Sequence, residues 1–146
     1  MAAPNWLWVG LQVYEDPRDD PGATPGLIYL IDWDGTKRHI SDWHTYDTIF
    51  DDRDHLTAVS RVELDQVTEG PPIRPGTFLA RPPQIDDELQ TVFLIKPAAS
   101  PGFPHGPVKR WVTNGDVFAQ FHFNRTDFYE VRKVFLDRMP DGMTIG

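Results

Sequence analysis

At 146 residues and a formal net charge of −8, the chain can hold one domain or two very small ones. Its acidity argues against general nucleic-acid binding and against docking on anionic lipid. No apolar run approaches the roughly 18 residues of a membrane-spanning helix, and the lack of cysteine excludes disulfides and thiol chemistry. No membrane insertion and no nucleic-acid partner are therefore expected. The start, Met1 to Trp6, lacks the basic-then-apolar pattern of a secretory signal. The compartment stays open between a reducing one and a secreted or cell-surface setting.

In chain order, Trp6 to Tyr14 alternates Leu7, Val9, Leu11 and Val13 against the other face, a strand pattern. Glu15 to Gly26 is acidic and Pro-rich, hence irregular. Leu27 to Trp33 reads as a second strand. Asp34-Gly35 then separates it from Lys37-Arg38-His39-Ile40, a strong hairpin signal. A short helix follows over about 42–50, with Ser41 as its expected N-cap. A second helix begins at the capping box Ser60-Arg61-Val62-Glu63 and runs to Val67.

The same order then repeats. Lys37-Arg38-His39-Ile40 recurs as Lys109-Arg110-Trp111-Val112, and that offset holds without a gap to Ile73 and Ile145. Identical pairs along the way include Arg53/Arg125, Val59/Val131, Val62/Val134, Leu64/Leu136, Asp65/Asp137 and Gly70/Gly142. Upstream, Tyr29-Leu30-Ile31 matches Phe93-Leu94-Ile95, and Gly10-Leu11-Gln12-Val13 matches Gly76-Thr77-Phe78-Leu79. The hairpin of the second copy carries a Pro- and Gly-rich loop, Pro97 to Pro107. Its helices are expected over about 114–121, capped by Thr113, and from Arg132 to Met139, where Pro140 ends the run. An internal repeat fixes architecture before any single residue is interpreted. The expected fold is α+β: one compact domain, 1–146, made of two homologous repeats (about 10–75 and 76–146). Each repeat is a β-hairpin with short helices, and the two pack about a pseudo-twofold axis with antiparallel sheet.

The pattern Tyr29-Leu30-Ile31, Gly35, Lys37-Arg38, Ile40, Tyr46, Glu63-Leu64-Asp65 and Gly70-Pro71-Pro72 resembles a recurrent module of bacterial and some fungal or algal extracellular proteins. The second copy matches through Phe93-Leu94-Ile95, Lys109-Arg110, Val112, Phe118, Leu136-Asp137 and Met139-Pro140-Asp141-Gly142. The resemblance covers most of the chain. Such modules are accessory parts, often beside cell-wall or glycan-acting domains, so the resemblance implies a wall- or sugar-associated role.

Candidate site residues follow the hairpins. An exposed aromatic ring can stack on the apolar face of a sugar while Arg, Asn and Asp bond its hydroxyls. Trp33, Arg38, His39 and Trp43 form one expected site; Arg110, Trp111, Asn114 and Asp116 form the other. Against this stands a structural reading in which Arg38 and Arg110 pair with Asp65 and Asp137, also kept in both copies. Trp33 and Trp43 face Pro97 and Gly115 in the second copy, so neither is required by the shared core. Asp32-Trp33-Asp34-Gly35 fails as a calcium loop, because Thr36 and Trp43 stand where oxygen ligands belong. Asp51-Asp52-Arg53-Asp54-His55 reads as a solvated loop, and His39 with His44 makes a poor zinc pair. No catalytic or metal motif is strong: there is no Gly-x-Ser-x-Gly, P-loop or dinucleotide fingerprint, and no cofactor is expected, while an enzyme would need a deep cleft with a perturbed carboxylate. The expected function is non-catalytic, lectin-like binding of a glycan or cell-surface polysaccharide, one shallow site per repeat. The alternative is a structural or interaction module that self-assembles into homo-oligomers.

Overall fold

The computed structural model describes residues 7–15, 27–85, 91–97 and 107–146. In the first half lie β1 (Gln12–Glu15), β2 (Ile28–Ile31), β3 (Lys37–Ile40), α1 (Trp43–Ile49), β4 (Leu56–Val59) and α2 (Arg61–Asp65). In the second lie β5 (Phe78–Arg81), β6 (Val92–Lys96), β7 (Val108–Val112), α3 (Gly115–Gln120), β8 (Tyr129–Glu130) and α4 (Lys133–Leu136). The fold is α+β. Two four-stranded sheets share one topology, β3-β2-β1-β4 and β7-β6-β5-β8.

The sheets are mixed, which corrects the antiparallel expectation. β1, β2 and β3 pair antiparallel, but β4 runs parallel to β1, and β8 runs parallel to β5. The cause is the helix between them. It carries the chain across the sheet, so the next strand re-enters beside the first in the same direction. The first strand is also shorter than its alternation suggested, because Leu7 to Gly10 is a turn and Leu11 N–H donates to the Trp8 carbonyl. Trp6, most of Glu15–Gly26 and most of Pro97–Pro107 lie outside the described residues.

Local chemistry explains the elements. The β2–β3 hairpin turns at Asp34-Gly35, where Gly35 takes φ 80° and Asp34 Oδ1 accepts from Thr36 N–H at 3.0 Å. The first helix in each half is capped one residue later than expected. Asp42 Oδ1 accepts from Thr45 N–H at 2.7 Å, and Asn114 Oδ1 from Val117 N–H at 2.9 Å. Ser41 and Thr113 instead donate their backbone N–H to Ile73 and Ile145. The Ser60–Glu63 capping box forms as read. The last helix is shorter than expected, and Arg132 at its N-cap makes no side-chain cap.

The final segment of each half is stitched to its hairpin. Lys37 bridges Glu69 and Ile40 bridges Ile73; Lys109 bridges Asp141 and Val112 bridges Ile145. The core runs through both halves. Val13, Leu30, Tyr46 and Phe50 belong to the same buried cluster as Leu79, Leu94, Phe121, Phe123 and Ile145. The halves also interlock: α1 packs on β5, while Gln12 Nε2 donates to the Phe121 carbonyl at 3.0 Å and Gln120 Nε2 to that of Val9 at 3.0 Å. Phe50 and Phe123 stack at 5.8 Å across an antiparallel bridge, an aromatic contact of about 0.5–1.5 kcal/mol beyond its area.

Candidate functional site

The Lys-Arg pairs sit in the centre strands' neighbours, β3 and β7, in one register: Arg38 opposite Leu30 and Arg110 opposite Leu94. Each lysine bends back along the sheet to a carbonyl. Lys37 Nζ donates to Leu64 at 3.0 Å, at the end of α2, and Lys109 Nζ to Met139 at 2.8 Å. Both lysines also lie near an aromatic ring, Tyr29 and Phe93. Tying the end of α2, and the turn after α4, to the sheet in this way is a structural task.

Both arginines converge on one fully buried carboxylate, Asp32. Arg110 donates from both terminal nitrogens to its two oxygens at 2.7 Å, and Arg38 donates through Nε. The remaining guanidinium groups reach Met143, Pro71 and Asp34. Burial alone would push the Asp32 carboxyl up. The Arg110 hydrogen bonds and charge, the Arg38 charge and the Trp33 amide outweigh it and hold Asp32 below its usual range. The expected pairing with Asp65 and Asp137 is corrected: Asp137 pairs with Lys133 on the surface. Asp32 lies in the first half and Arg110 in the second, so this ion cluster ties the halves together. At the matching place in the second half stands Lys96, just beyond Ile95 as Asp32 is beyond Ile31. Burial and the two arginines lower its pKa.

The other residues of the first expected site are engaged one by one. Trp33 is exposed on the hairpin turn, its backbone N–H bonded to Asp32. His39 leans on Tyr29 with ring centroids at 5.6 Å. Trp43 meets the ring of Tyr46 edge-on at 5.6 Å, and the Arg53 guanidinium lies 3.9 Å from its ring centre. Arg38 is turned inward.

The second half has a groove. It measures about 450 Å³ and is lined by Val92, Trp111, Thr113, Asn114, Gly115, Phe118 and Phe128, among others. Trp111 is 44% exposed on its edge. Asn114 caps α3 through Oδ1, and its amide lies 3.4 Å from Thr113 Oγ1. Asp116 is exposed in the first turn of α3. Arg110, committed to Asp32, does not line it. Phe118 and Phe128 line it beyond the residues the sequence points to. The available signal was Gly115 opposite Trp43: a Cβ at Gly115 would meet nothing within 4 Å.

The loop after α1 is exposed, as read, and paired internally: Arg53 with Asp47 at 2.9 Å and His55 with Asp52 at 3.5 Å. Asp51, Asp52 and His55 place one donor atom each within 4.8 Å of one another. His122, at φ 56°, stacks on His55 at 3.8 Å; burial and the neighbouring imidazole lower its pKa. No family model, curated protein or solved structure matches the chain.

Proposed function

We propose that this chain is a non-catalytic carbohydrate-binding protein whose principal site is the groove of the second half. The observation that carries the reading is a half-exposed Trp111 at the rim of an open, mostly apolar groove with Asn114 and Thr113 beside it. An indole face supplies the CH–π platform for a pyranose, and the short polar side chains supply hydroxyl partners. Asp116, one residue from the groove lining, adds an acceptor. On this reading the two halves are homologous copies about a pseudo-twofold axis, and the second keeps an open site. The resemblance of the motif to accessory wall-associated modules points the same way.

The test is a glycan array probed with labelled protein, beside Trp111→Ala. Selective binding lost in a folded variant supports the reading. A blank array contradicts it.

A second reading, self-assembly, is favoured by one feature. Tyr129, Val134 and Phe135 are more than half exposed around β8, the edge strand of its sheet. Light scattering decides it: a multiple of the 16.7 kDa chain mass supports assembly, and a monomer opposes it.

A further inference from the structure

We infer that the groove of the second half takes a flat aromatic ring, in the place that the first half fills with its own Trp43. The inference rests on the groove being the ligand site proposed above and narrows its ligand class to aryl-bearing molecules, such as aryl glycosides.

The two halves frame this place alike. Asp42 and Asn114 cap α1 and α3 with the same bond, at 2.7 and 2.9 Å, which sets positions 43 and 115 equally at the helix start. The loops that follow are also alike: Asp52 Oδ1 accepts from Asp54 N–H at 2.9 Å, and Asn124 Oδ1 from Thr126 N–H at 3.0 Å. Those loops present Arg53 and Arg125. Tyr46 on α1 corresponds to Phe118 on α3, and Leu56 to Phe128. The largest difference is at the helix start, an indole at 43 and no side chain at 115.

In the first half the indole is held between a ring edge and a cation, Tyr46 at 5.6 Å and Arg53 at 3.9 Å. The second half offers Phe118 to a ring in the groove; Arg125 is exposed on the matching loop and is not among the lining residues. Against Phe118 an aromatic ring packs edge-on or offset, whereas a pyranose buried there leaves hydroxyls without partners. Phe128 in place of Leu56 adds a further aromatic wall. A ring in the groove lies next to Trp111 and Asn114, where an attached sugar would be met.

Indole titrated into the whole chain, followed by backbone NMR, tests this. The expected result is saturable one-to-one binding, with a Kd of about 1 mM or tighter for so small a ligand, and shifts at Gly115 and Phe118. Gly115→Trp should melt no lower than the wild type and lose at least tenfold in indole affinity. Trp43→Gly should raise the stoichiometry to two if it stays folded. No saturable binding by the wild type, or unchanged binding by Gly115→Trp, overturns the inference. The glycan array separates the two ideas. Indole binding without glycan binding leaves the aromatic slot and removes the lectin reading. Glycan binding unaffected by Gly115→Trp does the reverse.

Discussion

Asp32→Ala should be the most damaging single change in the molecule. The carboxylate is fully buried, and three guanidinium contacts from two halves end on it. Its removal leaves Arg38 and Arg110 facing each other, each at most 8% exposed, without an anion between them. Breaking a buried pair from one side costs about 3–5 kcal/mol. Against a total stability of roughly 5–15 kcal/mol, that is a large share. At roughly 2–4 °C per kcal/mol, the melting temperature should fall by on the order of 10 °C. Urea and thermal unfolding measure it. Replacing the whole cluster, as Asp32→Leu with Arg38→Met and Arg110→Met, should recover most of the loss, because no charge is then stranded. The pH dependence follows from the same pair. The Asp32 carboxyl titrates lower folded than unfolded. Its contribution is therefore complete above the unfolded value of about 4 and is lost as pH falls through the folded value. Wild type should lose more stability than Asp32→Ala on acidification below about pH 4. An Asp32→Ala protein within about 1 kcal/mol of wild type, a small change by the standard of buried pairs, would refute the reasoning.

Gly10→Ala should destabilise by more than about 1 kcal/mol in urea unfolding, since the residue sits at φ 91° and a Cβ would stand 2.9 Å from the Gln120 carbonyl oxygen. Ser60→Ala should cost about 1 kcal/mol by the same measurement, through loss of the capping box of α2. Burial, aided by Asp52 and Asp47, pushes the Tyr46 hydroxyl up to about 12. The unfolded phenol ionises near 10, so stability should hold below about pH 10 and decline as pH rises from there. Spectrophotometric titration of wild type against Tyr46→Phe checks this, and a Tyr46 titrating with the other tyrosines would contradict it.

Much of the architecture was written in the repeat. The gapless offset from Lys37 to Ile73 reappears as paired bridges at both ends of the block, Lys37–Glu69 with Lys109–Asp141 and Ile40–Ile73 with Val112–Ile145. The Asp34-Gly35 turn and the Ser60 box are local chemistry, and local chemistry is visible in a window of four residues. The parallel strands β4 and β8 were not visible. Leu56-Thr57-Ala58-Val59 is short and follows no strict alternation, and its pairing with β1 is a long-range event. The arginine pairing was not visible either. Asp65 and Asp137 are kept in both, while Asp32 has Lys96 as its counterpart, so the true partner looked dispensable. A contact between halves does not show in a comparison of each half with the other. The groove was hidden for a different reason: its lining joins β6, β7, the start of α3 and Phe128, residues far apart in the chain.

The most direct measurement is backbone NMR of the whole chain titrated with a phenyl glycoside. Saturable shifts confined to Trp111, Asn114, Gly115, Phe118 and Phe128 are expected, with Trp33 and Trp43 silent. Shifts centred on Trp33 or Trp43, or none that saturate, would contradict it.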